Sequence, residues 1–266
     1  MNSPVILITG AGKGIGKAVV ENIIRRKLEM DSPKLVLTSR TLSDLESLQK
    51  IAVSAGLSCE VLALDLASDP TRPIMKAVQK FGRIDKVIHS AGVGRFGSFL
   101  ELTREDLEFT LKTNVEATFL LMQAAYVQMK NQELSATQSL GSSSSTSSSS
   151  STSSTASVLN HRGDIVLITS IAADKPFEHS SIYCMSKYAQ RGLLDVMRLY
   201  ARKDGIRIID VKPGAVFTPM WGEVTPEMIN QMMMPEDIAQ LITDALLIHP
   251  RSSVEEILVR PIHGDL

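Results

Sequence analysis

Two side chains that can move a proton, Tyr183 and Lys187, stand four residues apart in this chain. Ser170 precedes Tyr183 by thirteen residues and closes an apolar run, residues 165–170. The run is short and rich in β-branched residues, which predicts a buried parallel strand, whereas residues 180–203 have the pattern of a helix. Because residues i and i+4 share a helix face, we expect the phenol and the ammonium to lie side by side.

The chemistry expected of this pair is proton delivery. A phenol has a pKa of about 10, too high for easy proton transfer near neutrality. An ammonium about 4 Å away, at an effective dielectric near 20, contributes roughly 4 kcal/mol and would lower that pKa by up to ~3 units. Tyr183 would then be suited to protonate a carbonyl oxygen. Tyr-x-x-x-Lys also arises by chance, as a tyrosine packed beside a solvated lysine, so other motifs must support this interpretation.

Length and composition favour one α/β domain, residues 1–266, that acts on small molecules. The chain has 266 residues, 44% of them apolar, and a net charge of -1, so no basic field recruits nucleic acid or an anionic membrane. Its two cysteines, Cys59 and Cys184, lack metal-ligand spacing and fit a reducing compartment, so we expect no metal site. Without a signal peptide or a long apolar run, the expected location is the cytoplasm.

The fold predicted from the pattern is a Rossmann-type doubly wound sheet of seven mainly parallel strands, with helices on both faces. The expected strands are residues 5–9, 35–39, 60–64, 86–89, 164–169, 207–211 and 256–260. A helix is expected from Thr103, where Asp106 completes a variant capping box, toward Lys130. Its second half, residues 117–127, is apolar nearly all round, which indicates a subunit interface in a homo-oligomer, a dimer or a tetramer.

An insertion separates this helix from the fifth strand, at about residues 131–163. It contains an unbroken Ser/Thr tract, residues 142–155. Such a tract cannot bury enough apolar area to offset its ordering entropy, so we expect a disordered surface loop. A tolerated insertion explains it better than a regulatory phosphorylation site.

A glycine-rich turn follows the first strand and predicts nucleotide binding. Its glycines permit a tight turn, close approach of the backbone to a pyrophosphate, and close packing of a helix expected to begin near Lys17. The spacing differs from the G-x-G-x-x-G of long-chain dehydrogenases. The expected cofactor contacts of this turn are Gly10, Lys13, Gly14, Ile15 and Gly16.

The end of the second strand indicates NADP(H) as the cofactor. An NAD site would place an acid there for the ribose hydroxyls, but the chain has Ser39 and Arg40. Arg40, supported by Ser39 and Lys13, offers a guanidinium fork for a 2′-phosphate.

Further cofactor contacts are expected after other strands. The Asp65 carboxylate, next to Leu66, would accept a hydrogen bond from the adenine amine, although a helix N-cap explains Asp65 nearly as well. The remaining expected contacts lie near the ribose and the nicotinamide: Ser90, Ala91, Gly92, Pro213, Gly214, Val216 and Thr218.

Taken in order, the Thr9-Gly10-x3-Gly14-x-Gly16 turn, Asn114, Ser170, Tyr183-x3-Lys187 and Pro213-Gly214 resemble the short-chain dehydrogenase/reductase family over essentially the whole chain. The resemblance implies that Tyr183 is the general acid, Ser170 orients the carbonyl, and Lys187 binds the ribose hydroxyls and lowers the pKa of the phenol. It further implies that Asn114 holds a proton-relay water.

One motif departs from the family. The chain has His89-Ser90-Ala91-Gly92 where the family usually has Asn-Asn-Ala-Gly. Because the replaced side chains mainly brace the sheet, we expect this departure to affect stability more than catalysis.

Within that family, several segments are similar to the bacterial-type sepiapterin reductases, most strongly from Phe177 onward. The likeness implies reduction of a pterin side-chain ketone by NADPH, a reaction of tetrahydrobiopterin-type synthesis. A diketone or a 3-oxoacyl thioester stays open as substrate, and a non-catalytic NADP-sensing module is a remote alternative. The similar segments are residues 94–97, 180–187, 219–222, 232–237 and 254–261.

Three residues are candidates for substrate binding: Phe177, Trp221 and Asp265. A pterin is flat and polar, so it needs an aromatic wall and a carboxylate that accepts from its amino and ring N–H groups. Trp221 would stack on it, unless the indole belongs to the core or to a subunit contact. Asp265 would supply the carboxylate, unless the chain end is frayed and solvated.

Overall fold

The computed structural model describes residues 3–133 and 161–265. Seven strands form one sheet in the order β3-β2-β1-β4-β5-β6-β7, and all six neighbouring pairs are parallel. The strands are β1 Val5–Thr9, β2 Lys34–Ser39, β3 Cys59–Ala63, β4 Lys86–His89, β5 Gly163–Ile168, β6 Ile206–Pro213 and β7 Glu256–Val259. The predicted doubly wound sheet is confirmed, and each strand lies within two residues of its expected bounds.

Eight α-helices connect these strands in the described residues. They are α1 Gly14–Arg25, α2 Leu42–Ser54, α3 Arg72–Phe81, α4 Arg104–Leu111, α5 Thr118–Asn131, α6 Ser181–Asp204, α7 Pro226–Gln231 and α8 Pro235–Leu247. α1 begins three residues before the expected Lys17, because Gly14 already belongs to its first turn. α6 begins at Ser181, one residue after its expected start.

Two buried apolar clusters show that helices cover both faces of the sheet. One cluster joins Val19 of α1, Leu45 of α2 and Ile238 of α8 to one face. The other joins Leu121 of α5 and Leu194 of α6 to the opposite face. Because both faces are covered, β1, β5 and β6 are buried along their whole length, as expected of the central strands of a parallel sheet.

The helical stretch after Thr103 is interrupted. The Thr103 hydroxyl accepts from the Asp106 N–H and the Asp106 carboxylate accepts from the Thr103 N–H, so the variant capping box is confirmed. Between α4 and α5, Lys112–Ala117 forms a π-helical segment that the periodicity did not reveal. α5 buries only one side within the chain, and Phe119 and Val127 on its other side are 45% and 51% exposed.

The Ser/Thr tract lies outside the described residues. On its two sides, α5 ends at Asn131 and β5 begins at Gly163. The Arg162 guanidinium donates to the Gln132 carbonyl at 2.8 Å, which ties these two ends together. Among the helices of residues 3–133 and 161–265, none is long and apolar enough to cross a membrane.

Candidate active site

The carboxyl ends of β1, β4, β5 and β6 meet at one edge of the sheet, where each loop delivers a different part of the predicted site. From β1 the sheet extends to one side through β2 and β3 and to the other side from β4 onward, so the strand order reverses between β1 and β4. Open α/β sheets bind ligands at such a switch point. The Thr9 carbonyl accepts from the Ser90 N–H at 3.2 Å, so the loop after β4 lies directly against the glycine turn.

The glycine turn leaves no room for side chains. Gly10 and Gly14 have positive φ angles of 65° and 53°, which favour glycine. A Cβ on Gly10 would lie 2.7 Å from the Ala91 nitrogen, and one on Gly16 would lie 2.2 Å from the Gly10 carbonyl oxygen. Since α1 begins at Gly14, its N-terminal N–H groups face this space. The turn can therefore receive a pyrophosphate at a helix N-terminus.

The loop after β6 reaches the same turn. The methyl carbon of Thr218 lies 3.2 Å from the position that a Gly14 Cβ would occupy. Gly214 donates its N–H to the Val259 carbonyl at 2.8 Å, and Val216 forms a parallel bridge with Met233. Of the predicted contacts after β6, Thr218 thus lies beside the glycine turn, whereas Gly214 and Val216 contact Val259 and Met233.

The end of β2 places Ser39 beside Gly12, and Arg40 follows it in the chain. Arg40 is exposed, and a Cβ on Gly12 would lie 2.8 Å from the Ser39 hydroxyl oxygen. The Lys13 ammonium lies 3.8 Å from the carboxylate of Asp44, in the first turn of α2. Asp44 was missed by the sequence analysis because it follows the strand end by five residues and reaches the turn only through the packing of α2.

Asp65 lies in a turn. Its carboxylate accepts from the Ala67 N–H at 3.0 Å, while α3 begins at Arg72 with Thr71 as its N-cap. The N-cap interpretation of Asp65 is therefore wrong, and the exposed carboxylate stays available to a ligand. Leu66 beside it is buried.

Ser170, Tyr183 and Lys187 come together at this edge. The Lys187 ammonium donates to the Ile168 carbonyl at 3.2 Å and lies 5.5 Å from the centre of the Tyr183 ring. Ser170 is buried, and its hydroxyl accepts from the Ala172 N–H at 3.0 Å. A Cβ on Gly92 would lie 3.8 Å from the Lys187 nitrogen, so the loop after β4 also reaches the lysine.

The pKa of the phenol departs from the expected direction. Burial raises the pKa of Tyr183 to about 12, although the Ser170 hydroxyl acts in the opposite direction. Burial also lowers the pKa of Lys187 to about 8, against the opposing effect of the Asp210 carboxylate. The predicted lowering of the phenol pKa is not found, because loss of solvent around the tyrosine outweighs the hydrogen bond with Ser170.

Asn114 lies in the π-helical segment and is fully buried. Its side-chain amide accepts from the Val93 N–H at 2.9 Å and donates to the Val93 carbonyl at 2.8 Å and to the Ser186 hydroxyl at 3.0 Å. The Asn114 main-chain carbonyl accepts from the Gln190 amide at 2.7 Å. A protein side chain, Gln190, thus contacts the main chain of the residue that the family resemblance implied would hold a relay water.

His89 explains how the departure from the family motif is accommodated. Its Nδ1 is hydrogen-bonded to the Thr9 hydroxyl at 2.6 Å, and its Nε2 to the Thr118 hydroxyl at 2.9 Å. Burial, and then the charge of Lys187, lower the pKa of His89 to about 3, so the ring is neutral. The imidazole therefore braces β1 and β4 against α5, through two partners that no sequence motif indicated.

The aromatic candidates lie at the rim of the site. Trp221 is 42% exposed, and its indole N–H donates to the Val216 carbonyl at 2.9 Å, so it is not a core residue. Phe177 is half-buried beneath the Lys175 ammonium, which lies 5.6 Å from the ring centre. Phe96, which the sequence analysis did not assign to the site, packs on the Tyr183 ring.

Asp265 is held at the same edge. One carboxylate oxygen lies 3.0 Å from the Lys175 ammonium and 3.4 Å from the Arg260 guanidinium. The other oxygen is buried and has no hydrogen-bond partner within the described chain. The alternative of a frayed, solvated Asp265 is therefore wrong, because the carboxylate is paired and largely shielded from solvent. In residues 3–133 and 161–265, no group of three or more His, Cys, Asp or Glu side chains is arranged to hold a metal ion.

Comparisons with known proteins identify relatives of this chain. The family model described as short chain dehydrogenase matches residues 4–154 and 144–229. The sepiapterin reductase of Chlorobaculum tepidum is 44% identical over 266 residues, covering 98% of each chain. A metagenomic short-chain oxidoreductase solved with NADP is 26% identical, with a TM-score of 0.72, and the match covers 98% of this chain and 97% of that one.

A more distant solved structure shows the same fold. It is an alcohol dehydrogenase from the archaeon Thermococcus sibiricus, complexed with 5-hydroxy-NADP, and it is 23% identical with a TM-score of 0.77. The match covers 99% of this chain and 98% of that one. From its matching family model, its full-length relative and its fold, this chain belongs to the short chain dehydrogenase family of oxidoreductases.

Proposed function

We propose that this chain is an NADPH-dependent carbonyl reductase and that its substrate is the side-chain ketone of a pterin, as in tetrahydrobiopterin-type synthesis. The assignment as a reductase rests on one observation: Tyr183, Lys187 and Ser170 converge beside a glycine turn that no side chain fills. The choice of a pterin as substrate is supported by the 44% identity to a sepiapterin reductase over 98% of the chain. A cytoplasmic location remains part of this proposal.

The residues around the turn fit a dinucleotide phosphate. The turn and the N-terminus of α1 suit the pyrophosphate, and exposed Arg40 suits a 2′-phosphate. Asp65 offers its carboxylate to the adenine, and Ser90 to Gly92 lie near the ribose. Gly214, Val216 and Thr218 line the nicotinamide end. When bound, NADPH supplies the hydride for reduction at a carbonyl carbon.

The side chains of this chain supply the proton and orient the substrate. The Tyr183 hydroxyl delivers its proton to the carbonyl oxygen as the hydride reaches the carbonyl carbon, so the ketone becomes an alcohol. A pKa of about 12 keeps this phenol protonated at neutral pH. The Ser170 hydroxyl orients the carbonyl oxygen, and charged Lys187 stabilises the tyrosinate that the transfer leaves behind.

The rim of the site suits a flat heterocycle with N–H donors. Phe96, Trp221 and Phe177 provide partly exposed aromatic surface, on which a pterin ring can stack. The Asp265 carboxylate, held in place by Lys175 and Arg260, is the candidate to accept from the pterin amino group.

We also propose that a second copy of the chain covers the exposed apolar side of α5 and the matching side of α6. Phe119 and Val127 on α5, with Leu199 and Tyr200 on α6, are between 45% and 67% exposed. Exposed apolar residues on two adjacent helices are typical of a subunit interface. A dimer and a tetramer are both compatible with such a surface.

Steady-state rates of NADPH oxidation test the function. We expect kcat/KM for sepiapterin to exceed that for a panel of diketones and a 3-oxoacyl thioester, and NADPH to be preferred over NADH. A higher value for a diketone or the thioester would overturn the pterin assignment. NADPH binding without oxidation in the presence of any of these carbonyls would favour the NADP-sensing module instead. Identification of the product diastereomer then defines the stereochemistry.

A further inference from the structure

Gln190 is a buried residue that touches the catalytic lysine and that no motif singled out. It lies three residues after Lys187 on α6, so both side chains lie on the same face of the helix. Only 1% of Gln190 is exposed. Its side-chain oxygen accepts from the Lys187 ammonium at 3.0 Å, and its side-chain nitrogen donates to the Asn114 carbonyl at 2.7 Å.

The chemistry of the partners determines which way the amide points. An ammonium only donates and a carbonyl only accepts, so the oxygen of Gln190 must face Lys187 and its nitrogen must face Asn114. The same nitrogen donates to the Thr118 hydroxyl at 3.2 Å, and Thr118 is in turn bonded to His89. Both N–H groups and the oxygen of this amide therefore have partners, as a buried amide requires.

We propose that Gln190 is a positioning residue for catalysis: its amide holds the Lys187 ammonium toward the Tyr183 ring and links it to the Asn114 carbonyl. The π-helical segment makes this possible, because it interrupts the regular α-helical ladder at the residue that offers the carbonyl. A series of side-chain hydrogen bonds then connects the lysine to Thr9, at the start of the glycine turn. It runs from Lys187 through Gln190, Thr118 and His89. This role rests on the proposed function, in which charged Lys187 assists Tyr183.

The charged and titratable groups around Lys187 belong to three elements, β6, β4 and its own helix α6. Asp210 on β6 favours its charged form, whereas His89 on β4 is neutral and Tyr183 lies on its own helix. The π-helical segment and α5 reach it through the neutral groups of Asn114 and Thr118. Because the Gln190 oxygen accepts a stronger hydrogen bond from the charged lysine than from the neutral amine, removing that acceptor lowers the pKa of Lys187, and a carboxylate in its place raises it.

Gln190→Leu and Gln190→Glu therefore make opposite predictions. We expect Gln190→Leu to lower kcat/KM roughly tenfold and to move the alkaline limb of its pH profile to lower pH by about one unit. Gln190→Glu moves that limb to higher pH. Gln132→Leu is the matched control, because the Gln132 side chain also makes three hydrogen bonds, to the Ile84 N–H, the Ile84 carbonyl and the Gln128 amide, but lies far from Lys187 in the fold. It should lower the melting temperature without moving the limb.

The proposal would be overturned if the alkaline limb of the kcat/KM profile stayed at the wild-type pH in both Gln190 variants. It would also be overturned if that limb moved in the same direction in both variants. If Gln190→Leu does not fold, Gln190→Glu decides alone by the direction of its shift. The profile is measured with whichever carbonyl the wild type reduces. NMR titration of the Lys187 side chain in the same proteins reports the shifts without turnover, so failure of the proposed function is distinguished from failure of the Gln190 role.

Discussion

The Phe96 ring lies against the Tyr183 ring, with their centres 5.1 Å apart and their planes inclined by 50°. Gly94 permits this contact, because a Cβ on it would lie 2.4 Å from the Phe96 ring. The Gly97 N–H donates to the His179 carbonyl at 2.8 Å and holds this loop to the segment before α6. Phe96 is still 52% exposed, so one part of its ring supports the phenol and another part faces outward.

Replacing Phe96 with Ala should weaken binding of a flat substrate. We expect the KM for sepiapterin to rise about tenfold, the value of one aromatic contact, and the KM for a small diketone to rise less. Phe99→Ala is the control, because Phe99 is 78% exposed in the same loop. Equal effects of the two variants on both substrates would contradict a substrate wall at Phe96.

Replacing Tyr183 with Phe removes the proton donor and keeps the ring. We expect kcat to fall by about 10² to 10⁴, from the lost acid catalysis, while the dissociation constant of NADPH changes little. Stopped-flow turnover and fluorescence titration of NADPH measure the two quantities. A variant that keeps most of its turnover would refute the proposed mechanism.

Replacing Arg40 with Ala tests the choice of cofactor. Loss of a charged hydrogen-bond donor to a 2′-phosphate should raise the dissociation constant of NADPH about 10- to 100-fold. NADH lacks this phosphate, so its dissociation constant should stay nearly unchanged. Tighter binding of NADH than of NADPH by the wild type would show the assignment of Arg40 to be incorrect.

Replacing Asp265 with Asn tests the substrate carboxylate. We expect the KM for sepiapterin to rise about tenfold or more, because a charged acceptor for the pterin N–H groups is lost. The substitution also removes the ion pair with Lys175, so Lys175→Met, which breaks that pair and keeps the carboxylate, is the control. If both variants change KM equally, Asp265 acts only by holding the chain end.

The buried His89 should make the protein less stable in mild acid. Its pKa is about 3 in the folded chain and about 6.5 when the chain is unfolded, so only the unfolded state takes up a proton between these values. The stabilisation is therefore complete above pH 6.5 and is lost as pH falls toward 3, by up to about 1.4 kcal/mol per pH unit.

Urea unfolding at pH 6.5 and at pH 5 measures this effect. The free energy of unfolding of the wild type should fall by about 2 kcal/mol more than that of His89→Asn, which has no group that titrates in this interval. Equal losses in the two proteins would show that His89 does not stay neutral in the folded state.

Much of the fold could be predicted from the sequence because its signals are local. Each β-strand contains a short run of apolar residues, and the capping box depends on Thr103 and Asp106, three residues apart. The start of α1 was placed too late, because Gly14 sits in its first turn with a positive φ that a sequence pattern does not show.

The sequence by itself determined the family, the sheet and the candidate proton donor, because residue types at constrained spacings carry that information. Only the tertiary structure decided the surroundings of that donor. Burial raises the Tyr183 pKa instead of lowering it, since solvent exclusion depends on every element packed around the phenol. Likewise, the amide of Gln190 meets the Asn114 carbonyl from 76 positions away, a contact that folding alone creates.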